Sequence, residues 1–333
     1  MIPLKRSFLF LAVLAPLALS FYSCGKEPQK EVKPLYELQK NYNIPKFDSD
    51  NAYRQVEAQV KFGPRNPGSR GHDEALYYIS NELKKYADDV KLQSFNYPGY
   101  NGEQLALTNI IAKFNPDKKD RILFCAHWDT RPRAEHAKDT TKRNQPILGA
   151  NDGASGCGVL LELARLLKNN KVNYGIDLVF FDGEDYGKES DLNNFCLGSK
   201  YYSAKIQFDK MPAFAVLLDL VGDKEAQFPQ EAYSMQYAPD VVNMIWEIAQ
   251  LQNSNVFLQE EGNGIYDDHV PLEQAGIKAI DIIDSDLVGA HNKEARRNYW
   301  HSEFDNMSNI SKETLGQLGK VITYLIYSIQ FNK

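Results

Sequence analysis

Apolar positions recur along the chain with two periods. Five runs rich in β-branched and aromatic residues predict strands: Leu107–Phe114, Arg121–Ala126, Ile176–Phe181, Phe214–Leu220 and Lys278–Ile283. Several are continuous, the pattern of strands buried on both faces. Helical spacing fills the gaps. Ser155 is placed to cap a helix carrying Val159, Leu160, Leu163 and Leu167, and Val241–Gln252 forms another. Ser311 is placed to cap the last helix, where Leu315, Leu318, Ile322, Leu325 and Ile329 recur at spacings of three and four and make one apolar stripe. Residues 51–62 and 73–86 predict two helices ahead of the first strand. No internal repeat is visible. The alternation predicts a single α/β domain with a mixed, mostly parallel central sheet flanked by helices on both faces. Ligands of such sheets bind beyond the carboxyl ends of the strands. The polar residues just after the apolar runs are therefore the ones to inspect.

The N-terminal pattern is different. Lys5 and Arg6 precede an apolar stretch, Phe8 to Phe21, that Pro16 interrupts and that is too short for a comfortable membrane span. Residues 1–23 read as a signal peptide. Cys24 after a small residue resembles a bacterial lipoprotein cleavage site, so lipidation of Cys24 is expected, with ordinary secretory cleavage nearby as the alternative. Residues 24–46, rich in Lys, Glu and Pro, read as a solvated tether, and 47–333 as the catalytic domain. The expected location is the periplasm, with membrane attachment only through the lipid anchor.

Composition narrows the classes. The 333 residues carry 38 Lys+Arg against 44 Asp+Glu, a net charge of −6, with 43% hydrophobic residues. This excludes a disordered chain and argues against nucleic-acid binding, which needs a basic face. Four Cys without CxxC pairs are too few for a disulfide scaffold or a structural zinc site, and six His make position matter more than number.

The chemistry falls where the sheet rule puts it. His127-Trp128-Asp129 follows the second strand, and two residues apart on an extended chain His127 and Asp129 face the same side. Asp152 sits in the small-residue turn Gly149–Gly156 before a helix. Asp182-Gly183-Glu184-Asp185 ends the third strand, Asp219 the fourth, and Tyr299-Trp300-His301 lies before the last helix. Imidazole and carboxylate suit Zn²⁺ where Cys is not used. Adjacent Glu184 and Asp185 diverge, so one can bind metal while the other faces substrate as a base. A lone Asp after a strand is usually a cap or turn residue, and Asp182 and Asp185 read equally as solvated turn acids. The joint order of the motifs carries the inference. His72, His136 and His291 match no part of it and read as surface residues; Trp128 and Trp246 read as packing residues.

In these motifs the chain, from about Asn51 to Lys333, resembles the zinc aminopeptidase-like M28-type hydrolases in their glutaminyl cyclase branch, which implies a zinc exopeptidase-like, phosphorylase/hydrolase-like fold. The two-metal ligand positions of the family map to His127, Asp152, Asp185, Asp219 and His301, and the general base to Glu184. Asp185 replaces the commoner Glu. Trp300-His301, Asp267-Asp268-His269-Val270-Pro271, Leu217–Gly222 and Phe180–Glu184 resemble the cyclase branch. Cys157 matches a disulfide position whose partner is displaced by one residue at Cys125, so no bond is expected.

The resemblance implies one zinc per chain, held by Asp152, Asp185 and His301, with His127 and Asp219 as ligands only where two zincs bind. It implies Glu184, Asp219 and Asp267 as the catalytic acid cluster and Trp300 as an apolar wall, with Phe195 as a further wall candidate. The implied reaction is an aminoacyl transfer that closes the N-terminal glutamine of peptides or proteins into pyroglutamate and releases ammonia, carried out by a monomer. Two readings compete: a two-zinc aminopeptidase, and an inactive exported peptide-binding lipoprotein.

Overall fold

Arg121–His127 and Gly175–Phe181 are buried at every position, and the two strands pair in parallel at the centre of a sheet. Alternate side chains feed two cores. Ile122, Phe124, Ile176, Leu178 and Phe180 enter the larger one, and Leu123, Cys125, Val179 and Phe181 the smaller. Covering both faces requires helices on both sides, which is why these runs are continuously apolar.

The structure is a computed structural model that describes residues 34–40, 43–207 and 211–332. The signal peptide and Cys24 lie outside the described residues. Among the described residues the order is β1 (Tyr36–Leu38), α1 (Ser49–Lys61), α2 (Arg70–Tyr86), β2 (Asp89–Pro98), β3 (Gln104–Phe114), β4 (Arg121–His127), α3 (Ala154–Asn169), β5 (Gly175–Phe181) and α4 (Leu197–Lys205). Then follow β6 (Ala215–Asp219), β7 (Phe228–Gln230), α5 (Ala232–Tyr237), α6 (Pro239–Leu251), β8 (Phe257–Glu261), α7 (His269–Gln274), β9 (Ala279–Ile283), α8 (Lys312–Ser328) and β10 (Ile329–Phe331). No helix among the described residues is long and apolar enough to cross a membrane.

The main sheet has the order β2-β3-β5-β4-β6-β9. β2 and β3 are antiparallel, β3 is antiparallel to β5, and β5, β4, β6 and β9 run parallel. The expected mixed α/β domain is therefore present. β4 leads through α3 to β5 on one side, and β5 leads through α4 to β6 on the other. The carboxyl ends of β4, β5 and β6 thus meet where the strand order reverses, the place where open α/β sheets bind ligands.

Three details differ from the sequence pattern. Ser155 is not the cap of α3: Gly153 holds that position, and the Ser155 hydroxyl donates to the Asn151 carbonyl at 2.5 Å while accepting the Val221 N–H at 3.1 Å. Ile329 leaves the last helix and starts β10, which pairs with β1, so Tyr36–Leu38 within the predicted tether stretch adds a strand pair to the domain. β2 carries no fully buried residue. It is an edge strand, and its half-exposed pattern lacks a continuous apolar run.

The glycines of the Asn151–Gly158 segment set how closely α3 approaches the sheet. A Cβ on Gly156 would stand 2.1 Å from the Leu218 carbonyl oxygen, so only glycine lets α3 lie against β6. This brings the start of α3, and Asp152 before it, to the strand ends.

Candidate active site

His127 is the last residue of β4, buried, with its ring held among carboxylates. Its Nε2 lies 3.0 Å from Asp152 Oδ1 and 3.2 Å from Asp219 Oδ1, and its Nδ1 lies 3.5 Å from Asp129 Oδ1. Burial opposes a charge on this ring, but hydrogen bonding to Asp129, Asp152 and Asp219 outweighs it and holds the imidazole well above its ordinary pKa. His127 and Asp129 face each other, as the extended spacing requires.

Asp129 also reaches the next strand end. Its Oδ1 accepts the Glu184 N–H at 3.0 Å and its Oδ2 the Asp185 N–H at 3.2 Å. This turn starts at Gly183, with φ +73°, a conformation that favours glycine. Asp185 Oδ1 accepts a hydrogen bond from Arg131 at 2.7 Å, whereas its Oδ2 is buried without a partner. Burial would raise the Asp185 carboxyl, but His301 and Arg131 pull it well below the ordinary carboxylate range. Glu184 moves the opposite way. Burial, then the charges of Asp267 and Asp185, push it well above the ordinary value.

Asp152 and His301 come from loops that are tied together. The Asp305 carboxylate accepts the N–H groups of Asn151 at 2.8 Å and of Asp152 at 3.1 Å, which fixes the loop after His301 against the loop before α3. Burial and the Asp152 charge push Asp305 up to about 8. Arg65, fully buried, donates to the carbonyls of Trp128, Leu148 and Gly149 and joins the β4 exit to the Asp152 loop. A Cβ on Gly153 would stand 2.4 Å from the His127 carbonyl oxygen and 2.5 Å from its Nε2, so the Asp-Gly pair is what lets Asp152 reach His127.

His301 Nε2 lies 3.3 Å from Asp185 Oδ1 and 3.5 Å from Asp152 Oδ2. Burial lowers the His301 pKa to about 4, keeping the ring neutral with a lone pair available. Donor atoms of Asp152, Asp185 and His301 lie within 4.8 Å of one another, as do those of His127, Asp152 and Asp219. Two donors about 2.0–2.1 Å from one tetrahedral Zn²⁺ stand roughly 3.3 Å apart. The His301 distances match that separation, and Asp185 Oδ2 is a buried carboxylate oxygen left without a partner. The His127 distances, 3.0 and 3.2 Å, suit hydrogen bonds and a shared ion alike. The residues present fit a zinc ion at Asp152, Asp185 and His301.

Asp219 and Asp267 complete an acid cluster. Burial raises both, and the Asp219 charge helps bring Asp267 up to about 7. Beside them Asp268 is fully buried, and burial followed by the Asp267 charge raises it well above the ordinary value.

Glu184, Asp185, Asp152, Asp219, Asp267 and His301 line one cavity of about 340 Å³. Trp300 lines it too, stacked on the His301 ring at a centroid distance of 3.3 Å. Phe195 also lines it, with the Arg131 guanidinium 5.2 Å over its ring.

Two histidines are not the surface residues the sequence suggested. His136 lies in the cavity wall, 5.1 Å from the Trp300 ring. His72 is buried: its Nε2 lies 2.9 Å from Asp182 Oδ1, and its ring stacks on Trp128 at 4.4 Å. Asp182, weighed as a solvated turn acid, is therefore an internal anchor, and it also accepts the Thr108 N–H at 2.6 Å. Trp128 and Trp246 are buried packing residues. Cys125 and Cys157 are free thiols. Arg65, Arg131, Asp305 and Cys196 escaped sequence reasoning. Each acts on the site from a different segment of chain, and only Arg131, two residues beyond H-x-D, stood near a recognisable motif.

A mixed α/β sheet with imidazole and carboxylate donors converging at its carboxyl edge defines a zinc exopeptidase-like domain. Residues 109–326 match the model of peptidase family M28. The chain is 24% identical to glutaminyl-peptide cyclotransferase from Bos taurus, covering 96% of this chain and 94% of that protein. It superposes on the crystal structure of Bacteroides thetaiotaomicron glutaminyl cyclase bound to N-acetylhistamine with a TM-score of 0.81 and 39% identity, covering 86% of this chain and 99% of that one. It also superposes on a leucine aminopeptidase precursor from Bacteroides thetaiotaomicron, with a TM-score of 0.80 and 39% identity over 86% of this chain and 98% of that one. The chain belongs to peptidase family M28, in its glutaminyl cyclase branch.

Proposed function

We propose that the protein is a zinc-dependent glutaminyl-peptide cyclotransferase that converts the N-terminal glutamine of peptides or proteins to pyroglutamate and releases ammonia. Similarity carries the choice over a two-zinc aminopeptidase: the chain matches a glutaminyl-peptide cyclotransferase over 96% of its length. Donor atoms of Asp152, Asp185 and His301 also lie close enough together to share one ion. The similarity to bacterial glutaminyl cyclase supports the same choice.

Asp152, Asp185 and His301 would hold one zinc, which when bound supplies Lewis-acid polarisation of the substrate's side-chain amide carbonyl. The substrate α-amine is the nucleophile. Its nitrogen bonds to the amide carbon, the bond from that carbon to the amide nitrogen breaks, and Glu184 moves the amine proton to the departing ammonia. Burial and the neighbouring acids raise the proton affinity of Glu184, which suits it to both halves of that transfer. Asp219 and Asp267 tune this affinity. Trp300 and Phe195 give the glutamine methylenes an apolar surface.

Residues 1–23 direct export in this reading, Cys24 carries a lipid that holds the chain to a membrane facing the periplasm, and residues 47–333 work as a monomer. The basic start, the short apolar run and the position of Cys24 support it. Elemental analysis of the purified protein tests the metal count. One zinc per chain is expected, retained in His127→Ala. Two zincs, lost with activity in His127→Ala, would establish the peptidase instead.

A further inference from the structure

A third set of donors joins Glu184 and Asp267, which line the cavity, to the buried Cys196. Glu184, Cys196 and Asp267 bring one ligand atom each within 4.8 Å of the others. The Cys196 thiol donates to Glu184 Oε1 at 3.4 Å, and Asp267 Oδ2 is buried without a partner. The thiol is held there by backbone. Cys196 adopts φ +54° at the start of α4, its N–H donates to the Glu184 carbonyl at 2.9 Å, and the Leu197 N–H donates to the Gly183 carbonyl at 3.2 Å. These bonds seat the sulfur beside the carboxylate before any ligand arrives. A simple packing role for Cys196 leaves the orphaned Asp267 oxygen unexplained.

We propose that Glu184, Cys196 and Asp267 form a second, inhibitory cation site that takes a borderline-soft divalent ion such as Zn²⁺ or Cd²⁺. A thiolate with two carboxylates favours such ions over Mg²⁺ and Ca²⁺, which prefer oxygen ligands alone. Binding breaks the S–H bond, releases that proton to water and forms the metal–sulfur bond. An ion bound here occupies the Glu184 carboxylate and stops proton transfer. The inhibition rests on the reading of Glu184 as the base; the binding does not.

The test uses the full chain carrying Cys24→Ser, loaded with its zinc and titrated with Cd²⁺ near pH 8. A thiolate-to-cadmium charge-transfer band in the ultraviolet is expected, saturating at a single added equivalent. The Asp152, Asp185 and His301 set has no thiol, so exchange there adds no band. Cys196→Ser should remove the band, and Asp267→Asn should weaken Cd²⁺ binding about tenfold or more. Turnover of a glutamine-initiated peptide should fall in step with the band. Absence of the band, its persistence in Cys196→Ser, or an unshifted titration in Asp267→Asn would overturn the site. A band without loss of turnover would uphold the site and refute Glu184 as the base.

Discussion

The Asp129 carboxylate accepts the backbone N–H of Glu184 at 3.0 Å with one oxygen and that of Asp185 at 3.2 Å with the other. One side chain from the β4 exit thereby aims two adjacent acids from the β5 exit. Asp185 turns toward His301 and Arg131, and Glu184 toward Cys196 and Asp267. Replacing Asp129 with Asn puts an N–H₂ where an acceptor is needed and leaves one backbone donor facing it. Asp129→Asn should lower both zinc affinity and kcat about 10–100-fold and cost about 1–3 kcal/mol of stability. Zinc titration, kinetics and thermal unfolding check the three effects. Loss of stability alone would make Asp129 a fold residue only.

Glu184→Gln keeps the shape of the side chain and removes the proton acceptor. Turnover should fall by about 10²–10⁴-fold, with zinc content near that of the native protein. Loss of zinc together with activity would make Glu184 a ligand.

The elevated Glu184 pKa predicts a pH effect of definite sign. Burial comes first among its causes and the Asp267 charge second, with Asp267 itself brought up to about 7. As the base, Glu184 must be ionised, so kcat/KM rises with pH through the apparent pKa of the cluster. Asp267→Asn removes a negative neighbour and lowers the proton affinity of Glu184. The acid limb of the kcat/KM profile should therefore move to lower pH. An unmoved limb would separate Asp267 from the base.

The fold was legible where burial was complete. The runs at Arg121–Ala126, Ile176–Phe181 and Phe214–Leu220 became β4, β5 and β6 because central strands are apolar on both faces. β2 was missed because it lies at the sheet edge, with no residue fully buried. The site followed the same logic. His127, Asp152, Glu184, Asp185, Asp219 and Asp267 stand out as polar residues next to apolar runs or in short motifs, and the fold collects them in one place. The supporting groups carry no such mark. Arg65 and His72 sit among ordinary helix and loop residues, and only the tertiary fold brings them to Trp128 and Asp182. Asp305 reads as a loop acid until its carboxylate meets the Asn151 and Asp152 amides.

Cyclase and aminopeptidase chemistry differ in the bond that is broken. Incubation of the zinc-loaded protein with a glutamine-initiated peptide, followed by mass spectrometry of the products, addresses it directly. A full-length peptide lighter by one ammonia, with no free amino acid, is expected. Free glutamine with a peptide one residue shorter would contradict it and establish aminopeptidase chemistry at the same zinc site.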